Sequence, residues 1–87
     1  MRHARTEALD ALEDVLVAVR GFDGLMERKR GAFYRRSSGF LHFHEDPAGL
    51  FADLKVGGDW ERFRVSTPEE RRVLLARVEV LLGAPPA

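Results

Sequence analysis

Residues 39–54 read GFLHFHEDPAGLFADL, and this stretch decides the fold. On each side of the polar segment at 46–49, apolar residues recur at every second position. A period of two is typical of a strand that buries one face, and a short Asp-Pro-Ala-Gly segment between two such runs is typical of a hairpin turn. The stretch therefore predicts two antiparallel strands, one on each side of residues 46–49.

The length of this turn sets which side chains share a face, because a slip of one residue sends a whole strand to its other face. We expect a four-residue turn with Gly49 in the left-handed region. The apolar face is then made of Leu41, Phe43, Leu50, Ala52, Leu54 and Val56. On the opposite face His42 lies across from Asp53. His44 lies across from Phe51 on that same face.

Two further turns extend the hairpin into a meander. A two-residue turn at Gly57-Gly58 agrees with the preference of tight hairpins for glycine, and it places Asp53 across from Arg62 on the face opposite the apolar one. A three-residue turn at 37–39, with Gly39 in the left-handed region, places Tyr34 beside His42. The predicted strands cover about residues 32–36, 40–45, 50–56 and 60–65, and the run at 25–29 is compatible with an extra edge strand.

An amphipathic helix is predicted over about residues 5–20. Its apolar stripe consists of Leu9, Leu12, Leu16 and Val19, at steps of three and four residues. This spacing places the four side chains on one face of a helix. Gly21 follows as a left-handed terminator.

A second helix is predicted over about residues 68–82, and its start carries a stronger signal. Thr67 can cap the helix, Pro68 suits its first position, and Glu70 completes a capping box. Gly83 and the Pro85-Pro86 pair then end the helix.

The predicted fold class is α+β, with residues 1–87 forming a single domain. An N-terminal helix precedes an antiparallel meander of four or five strands, and a C-terminal helix follows it. Both helices are expected on one face of the sheet, because neither has an apolar stripe to spare for a second layer.

The composition excludes several classes of protein. The 14 basic and 14 acidic residues cancel, which argues against a dedicated nucleic-acid binder, and the absence of cysteine excludes disulfides and thiolate zinc sites. No apolar run approaches the roughly 18 residues of a membrane span, and the start lacks the apolar stretch of a signal peptide. We therefore expect a cytoplasmic protein with no membrane partner and no cofactor. The 12 Arg against 2 Lys, without Asn, Gln or Ile, are compatible with a thermophile or with a GC-rich genome.

The second face of the sheet is the predicted binding surface. Its candidate residues are Tyr34, Phe40, His42, His44, Phe51, Asp53, Trp60, Arg62 and Arg64. Phe40, Phe51 and Trp60 place large exposed rings on a face that could be fully polar, which indicates a surface that binds something. We expect homodimerisation or another protein partner. The alternative is that the rings lie over arginine and lysine stems and only stabilise the sheet.

The two histidines also raise a metal hypothesis. His42 and His44 point the same way from one strand, so both could reach one ion, with Asp53 or Glu45 as an oxygen ligand. The commoner alternative is a hydrogen-bonded pair of surface histidines, in which Asp53 orients His42 or pairs with Arg62. A general acid or base role for His42, held by Asp53 and flanked by Tyr34, is chemically conceivable. The sequence shows no nucleophile motif or phosphate loop to complete such a site, so no catalytic residue is predicted.

Nucleic acid or another polyanion is the second alternative ligand. Arg28-Lys29-Arg30 and Arg35-Arg36 lie close in sequence to Tyr34, and Arg62 and Arg64 extend the positive charge. Cations beside exposed rings resemble a platform for single-stranded nucleic acid. A solvated basic edge that blocks strand pairing between molecules is the commoner explanation.

Residues 39–54, the Trp-Glu-Arg-Phe run at 60–63 and the helix start at 67–70 resemble a group of short bacterial proteins known only as conserved hypotheticals. The likeness covers about residues 22–82. It implies no activity and no binding residue.

The order of elements is also similar to frataxin-like and secretion-chaperone-like architectures, which is an analogy of fold alone. A frataxin-like iron site needs a dense acidic ridge on the first helix and the adjoining strand. Here the helix carries scattered acids and the sheet face is rich in arginine, which argues against iron handling. A chaperone-like protein would suit a dimer with an aromatic binding surface.

Overall fold

The computed structural model describes residues 1–83, and it is an α+β fold with six antiparallel strands. The elements in chain order are β1 (Arg2–His3), α1 (Thr6–Ala11), α2 (Glu13–Arg20), β2 (Met26–Lys29), β3 (Ala32–Arg35), β4 (Ser38–Asp46), β5 (Gly49–Val56), β6 (Asp59–Arg64) and α3 (Pro68–Leu81). Helices lie at both ends of the meander, as predicted. The prediction of four or five strands was too low, because β1 was missed.

β4 is the central strand, and its two edges are occupied differently. The strand order is β2-β3-β4-β5-β6, and β1 pairs with β4 outside this path. β5 covers one edge of β4, while β3 covers the other edge only along residues 38–42. β1 takes up the remainder of that edge, with His3 opposite His44. β1 consists of two polar residues, so it lacks the alternation of apolar and polar side chains from which a strand can be predicted.

The register of the two later hairpins is confirmed. His42 lies opposite Asp53, and His44 lies opposite Phe51. Gly57 and Gly58 form the predicted two-residue turn, and both have positive φ. The turn at 46–49 was predicted wrongly in one respect, because Asp46 pairs with Gly49 and leaves a two-residue turn. Gly49, at φ +141°, is outside the left-handed helical region. The additional pair, Asp46 with Gly49, shortens the turn but leaves the register of the two strands unchanged.

The β3–β4 hairpin differs from the prediction, and the difference reverses one side chain. Its turn is Arg36-Ser37, with φ of +52° and +68°, instead of a three-residue turn with Gly39 left-handed. A β-bulge follows, because Tyr34 lies opposite Gly39 while Phe33 lies opposite Leu41. The extra residue in β4 is Phe40.

Phe40 therefore lies in the core and not on the second face, where it was predicted. Its side chain is only 4% exposed and belongs to the buried cluster. A bulge lets two successive residues point to the same side, and burying a phenylalanine stabilises a fold by about 1.5 to 3 kcal/mol. Tyr34 stays on the second face, but it lies diagonally from His42 and not directly across the strands.

The N-terminal helix is divided at Leu12, whose φ of −100° and ψ of 8° separate α1 from α2. One continuous helix was predicted. Gly21 is right-handed, with φ −76°, so it is not the predicted left-handed terminator. The positive φ occurs three residues later, at Gly24.

α3 begins as predicted. The Glu70 backbone N–H donates to Thr67 Oγ1 at 3.2 Å, and the Thr67 N–H donates to a Glu70 carboxylate oxygen at 3.0 Å, which completes the capping box. Gly83, with φ +67°, follows the end of the helix. The predicted stop at Pro85-Pro86 lies outside the described residues.

One apolar cluster joins the helices to alternate residues of the sheet. Its buried members are Leu9, Leu12, Val15, Leu16, Val19, Phe33, Phe40, Leu41, Phe43, Ala52, Leu54, Val65, Leu74 and Val78. Across residues 1–83 no polar or charged residue is buried. None of the helices in this part of the chain is long and apolar enough to cross a membrane.

The Arg36-Ser37 turn yields a test of the corrected hairpin. We expect Ser37→Gly to raise the free energy of unfolding by about 0.5 kcal/mol, because relief of left-handed strain outweighs the added flexibility of the unfolded chain. Ser38→Gly, one residue later in β4, is the matched control and should lower it by about 0.5 to 1 kcal/mol. Urea denaturation measures the free energy of unfolding of both variants. An equal loss of stability in the two variants would contradict the positive φ of Ser37 in this turn.

Candidate binding face of the sheet

The outer face is the side of the sheet that alternates with the buried residues of β4 and β5. It carries His3, Tyr34, His42, His44, Phe51, Asp53, Lys55, Trp60, Arg62 and Arg64. The structure thus places on one surface every predicted site residue except Phe40, which is buried. It also adds His3, whose position could not be predicted.

β1 completes a cluster of three histidines. The ring centroid of His3 lies 4.8 Å from that of His44 and 6.2 Å from that of His42. His3 arrives there because β1 pairs with the part of β4 that β3 leaves free. The sequence signal for this contact is only a short polar segment before the first helix. We call His3, His42 and His44 the histidine cluster.

Asp53 links the histidine cluster to the neighbouring strand. Arg62 donates from Nε to Asp53 Oδ1 at 2.8 Å and from Nη2 to Oδ2 at 2.9 Å. His44 Nε2 lies 3.1 Å from Asp53 Oδ2. The hydrogen bonds from Arg62 are the main reason that the pKa of Asp53 lies below its ordinary value. Asp53 pairs with Arg62, as one prediction had it, but the imidazole it contacts is His44 and not His42.

His42 is enclosed by aromatic rings. Its ring centroid lies 5.1 Å from that of Trp60 and 6.0 Å from that of Tyr34. Its Nε2 atom is buried and has no hydrogen-bond partner among the described residues. A Cβ placed on Gly39 would lie 3.3 Å from that Nε2 and 3.6 Å from Trp60 Cη2. The lack of a side chain at Gly39 therefore makes room for both rings.

Burial also lowers the pKa of His42 and of His44. Desolvation is the largest cause that lowers the pKa of His42, and repulsion from His3 and His44 adds to it. Desolvation likewise lowers the pKa of His44, although attraction to Asp53 partly opposes it. Both imidazoles are thus neutral at pH 7, where His42 can act as an aromatic packing group.

Cations lie over the exposed rings of the outer face. Lys55 Nζ lies 5.2 Å from the Trp60 ring centroid, and Arg28 lies 4.7 Å from that of Tyr34. Trp60 is 46% exposed, which makes it the most accessible aromatic residue on this face. Contacts of this kind contribute about 0.5 to 1 kcal/mol at exposed sites.

The remaining two predicted residues are Phe51, near the start of β5, and Arg64, at the end of β6. Phe51 is half-buried opposite Arg64. Arg64 Nη1 lies 3.4 Å from Glu70 Oε2, and Nη2 donates to the Ala48 carbonyl at 3.3 Å. The charge of Arg64 is thus partly compensated by the start of α3.

The metal and catalytic hypotheses gain no support from this geometry. Within residues 1–83, no group of three or more His, Asp or Glu side chains converges closely enough to hold a metal ion. For acid–base chemistry, the carboxylate of Asp53 lies against His44 and Arg62, while the Nε2 of His42 is covered.

No protein-family model matches the chain, and no curated protein or solved structure is significantly similar to it. The resemblance to short bacterial proteins therefore stays a prediction. Any function must be argued from the outer face itself.

The lowered pKa values of His42 and His44 predict how stability depends on pH. The unfolded chain takes up protons near the ordinary value of 6.5, while the folded chain takes them up only at lower pH. The unfolded state therefore binds more protons in this window, so stability falls as the pH drops from about 6.5 through the folded-state pKa values. Urea denaturation between about pH 7.5 and pH 5.5 measures this.

His42→Phe is the informative variant for the same measurement. It removes one titrating group and the unpartnered nitrogen, so we expect a shallower pH dependence and no loss of stability at pH 7.5. A wild-type unfolding free energy that stays constant over this range would contradict the burial of the two imidazoles.

Asp53→Asn tests the link between the histidine cluster and Arg62. We expect a loss of about 1 kcal/mol of stability, because the ion pair with Arg62 is replaced by a weaker hydrogen bond from the guanidinium to a neutral amide. The pKa of His44, followed by NMR of its ring protons, should also decrease, since Asp53 now raises it. Asp59→Asn, at the exposed start of β6, is the control and should change neither quantity. An unchanged His44 titration in Asp53→Asn would show that the contact does not form.

Proposed function

We propose that this chain is a cytoplasmic, non-catalytic interaction module. In this proposal the helices cover the core face of the sheet, and the outer face binds a protein, most simply a second copy of the same chain. The exposed Trp60 side chain, which lies across the sheet over His42 and Gly39, is the observation that carries the proposal.

The anatomy of the outer face supports a protein partner. The outer face carries three large aromatic residues, of which Trp60 is exposed and Tyr34 and Phe51 are half-buried. Exposed arginines, Arg62 and Arg64, lie beside them. Tryptophan, tyrosine and arginine are the residues that most often dominate the binding energy of protein interfaces, where a central anchor is surrounded by a polar rim.

The mixture of charges supports pairing between identical chains. On the outer face, the Asp53 carboxylate lies beside two cations, Arg62 directly opposite it on β6 and Lys55 two residues further along β5. In a twofold dimer each surface meets its own copy, so a surface with both signs of charge can complement itself. The zero net charge of the chain lowers the long-range repulsion that would oppose such a dimer.

The same geometry disfavours single-stranded nucleic acid. A base stacks on an open ring face, whereas Arg28 and Lys55 already lie over Tyr34 and Trp60. The Asp53 carboxylate also places negative charge on the part of the outer face along which the phosphates of a bound strand would lie. A polyanion would therefore have to displace existing contacts and approach a carboxylate.

Sedimentation velocity over a wide range of concentrations tests the proposal. We expect wild-type protein to form a concentration-dependent dimer. Trp60→Ala should raise its dissociation constant roughly 30-fold, as expected when an interface anchor worth about 2 kcal/mol is removed. Val80→Ala is the control, because Val80 is 68% exposed on α3, away from the sheet.

Two results would overturn the proposed dimer. One is a wild-type chain that remains monomeric at every concentration. The other is a dimer that Val80→Ala weakens and Trp60→Ala does not, which would place the interface on the helices. Salt-dependent binding of a labelled oligonucleotide, weakened by Arg62→Ala and Arg64→Ala, would instead support the polyanion alternative.

A further inference from the structure

A cleft of about 310 Å³ opens where β1 and β3 share one edge of β4. Along that edge, Ala4 donates its backbone N–H to the Phe43 carbonyl at 3.0 Å, and Ala32 is the next neighbour, opposite His42. Beyond these positions the two chain segments diverge, one toward α1 and the other into the turn after β2. The cleft lies between them, and Phe43 and Leu9 contribute its apolar lining.

The residues around the cleft are unevenly charged. Lys29, Arg30, His3 and His42 line it, and no carboxylate does among the described residues. This segregation is local, because the chain as a whole is neutral. It leaves a concave site with basic groups of several kinds and no acidic group in its lining.

Of these basic groups, Lys29 is the one available for a ligand. Arg30 donates to Asp10 at 2.7 Å and to Glu13 at 2.9 Å, so its charge is compensated. Lys29 makes no ion pair with any residue of the part described, and it is exposed. An ammonium group at the rim of a concave site is suited to an anionic group.

The other lining groups add donors and apolar surface. Tyr34 can donate from its hydroxyl, and each imidazole can donate from one ring nitrogen when neutral. In His42 only Nδ1 can serve, because Nε2 is shut in beside Gly39 and Trp60. Phe43 and Leu9 supply surface for the apolar body of a ligand.

From this juxtaposition we infer that the cleft binds a small organic anion, in which a phosphate or carboxylate group meets Lys29 and an apolar body lies against Leu9 and Phe43. The volume is at the lower end of the range of about 300 to 1,000 Å³ found for ligand pockets, which suits a single-ring molecule. The cleft shares His3, Tyr34 and His42 with the outer face, whereas Lys29, Leu9 and Phe43 do not belong to that face. Binding of the anion is therefore tested at Lys29, and dimer formation at Trp60.

Phenyl phosphate, benzoate and uncharged benzyl alcohol are the probes for this site. We expect both anions to shift the amide NMR signals of Ala4, Gly31 and Phe43 in the full chain, and benzyl alcohol to shift them little. The stronger of phenyl phosphate and benzoate identifies the preferred head group. Lys29→Ala should weaken binding of the anions about tenfold, as expected for a hydrogen bond to a charged group.

Lys55→Ala is the matched control, since it removes the only other lysine, on the outer face over Trp60. It should leave the affinity of the anions unchanged. Ala32→Phe fills the cleft and should abolish binding, and circular dichroism confirms that each variant is folded. If Ala32→Phe does not fold, the comparison of Lys29→Ala with Lys55→Ala still shows whether Lys29 contributes to the binding of the anions.

Three results would overturn the inference. They are an absence of anion-induced shifts, an equal loss of affinity in Lys29→Ala and Lys55→Ala, and equal binding of benzyl alcohol and the anions. The first would show that neither anion binds in the cleft, and the second would indicate only a general attraction of anions to a basic surface. The third would indicate an apolar site without charge selection.

Discussion

The alternation of side chains along β4 is the constraint on which the rest of this structure depends. Leu41 and Phe43 are 0% and 3% exposed, so the two histidines that alternate with them must point to the opposite side of the sheet. Moving β4 by one residue would bury both imidazoles and expose both apolar side chains, at a cost of several kcal/mol. The core and the outer face are thus two consequences of the same register.

A second organising feature is the shared edge of β4. β3 leaves this edge after His42, and β1 takes it up at His44. The first result is the histidine cluster, because His3 is carried next to the two histidines of β4. The second result is the cleft, which lies where β1 and β3 turn away from each other. One edge therefore supports both the outer face proposed for dimer formation and the adjoining site inferred for a small anion.

Much of the sheet could be predicted because hairpin registers depend on neighbouring residues. The Gly57-Gly58 turn and the alternation around it were sufficient to predict that Asp53 lies opposite Arg62. The capping box at Thr67 was sufficient to predict where α3 begins. The prediction for Phe40 was wrong because a bulge is set by competition between turn geometry and burial. The local sequence pattern does not reveal that Arg36 and Ser37 adopt positive φ. It also does not reveal that the bulge after this turn places the Phe40 ring in the core.

The sequence by itself determined the α+β class, the strands from β3 to β6 and the face on which His42, His44 and Asp53 lie. These follow from periods of two and of about 3.6 residues, which act between residues close in the chain. Only the tertiary structure decided the docking of β1, the partner of Asp53 in the histidine cluster and the enclosure of His42 beneath Trp60. Each of these brings together groups from separate strands, and each depends on which edge or space the rest of the fold leaves open.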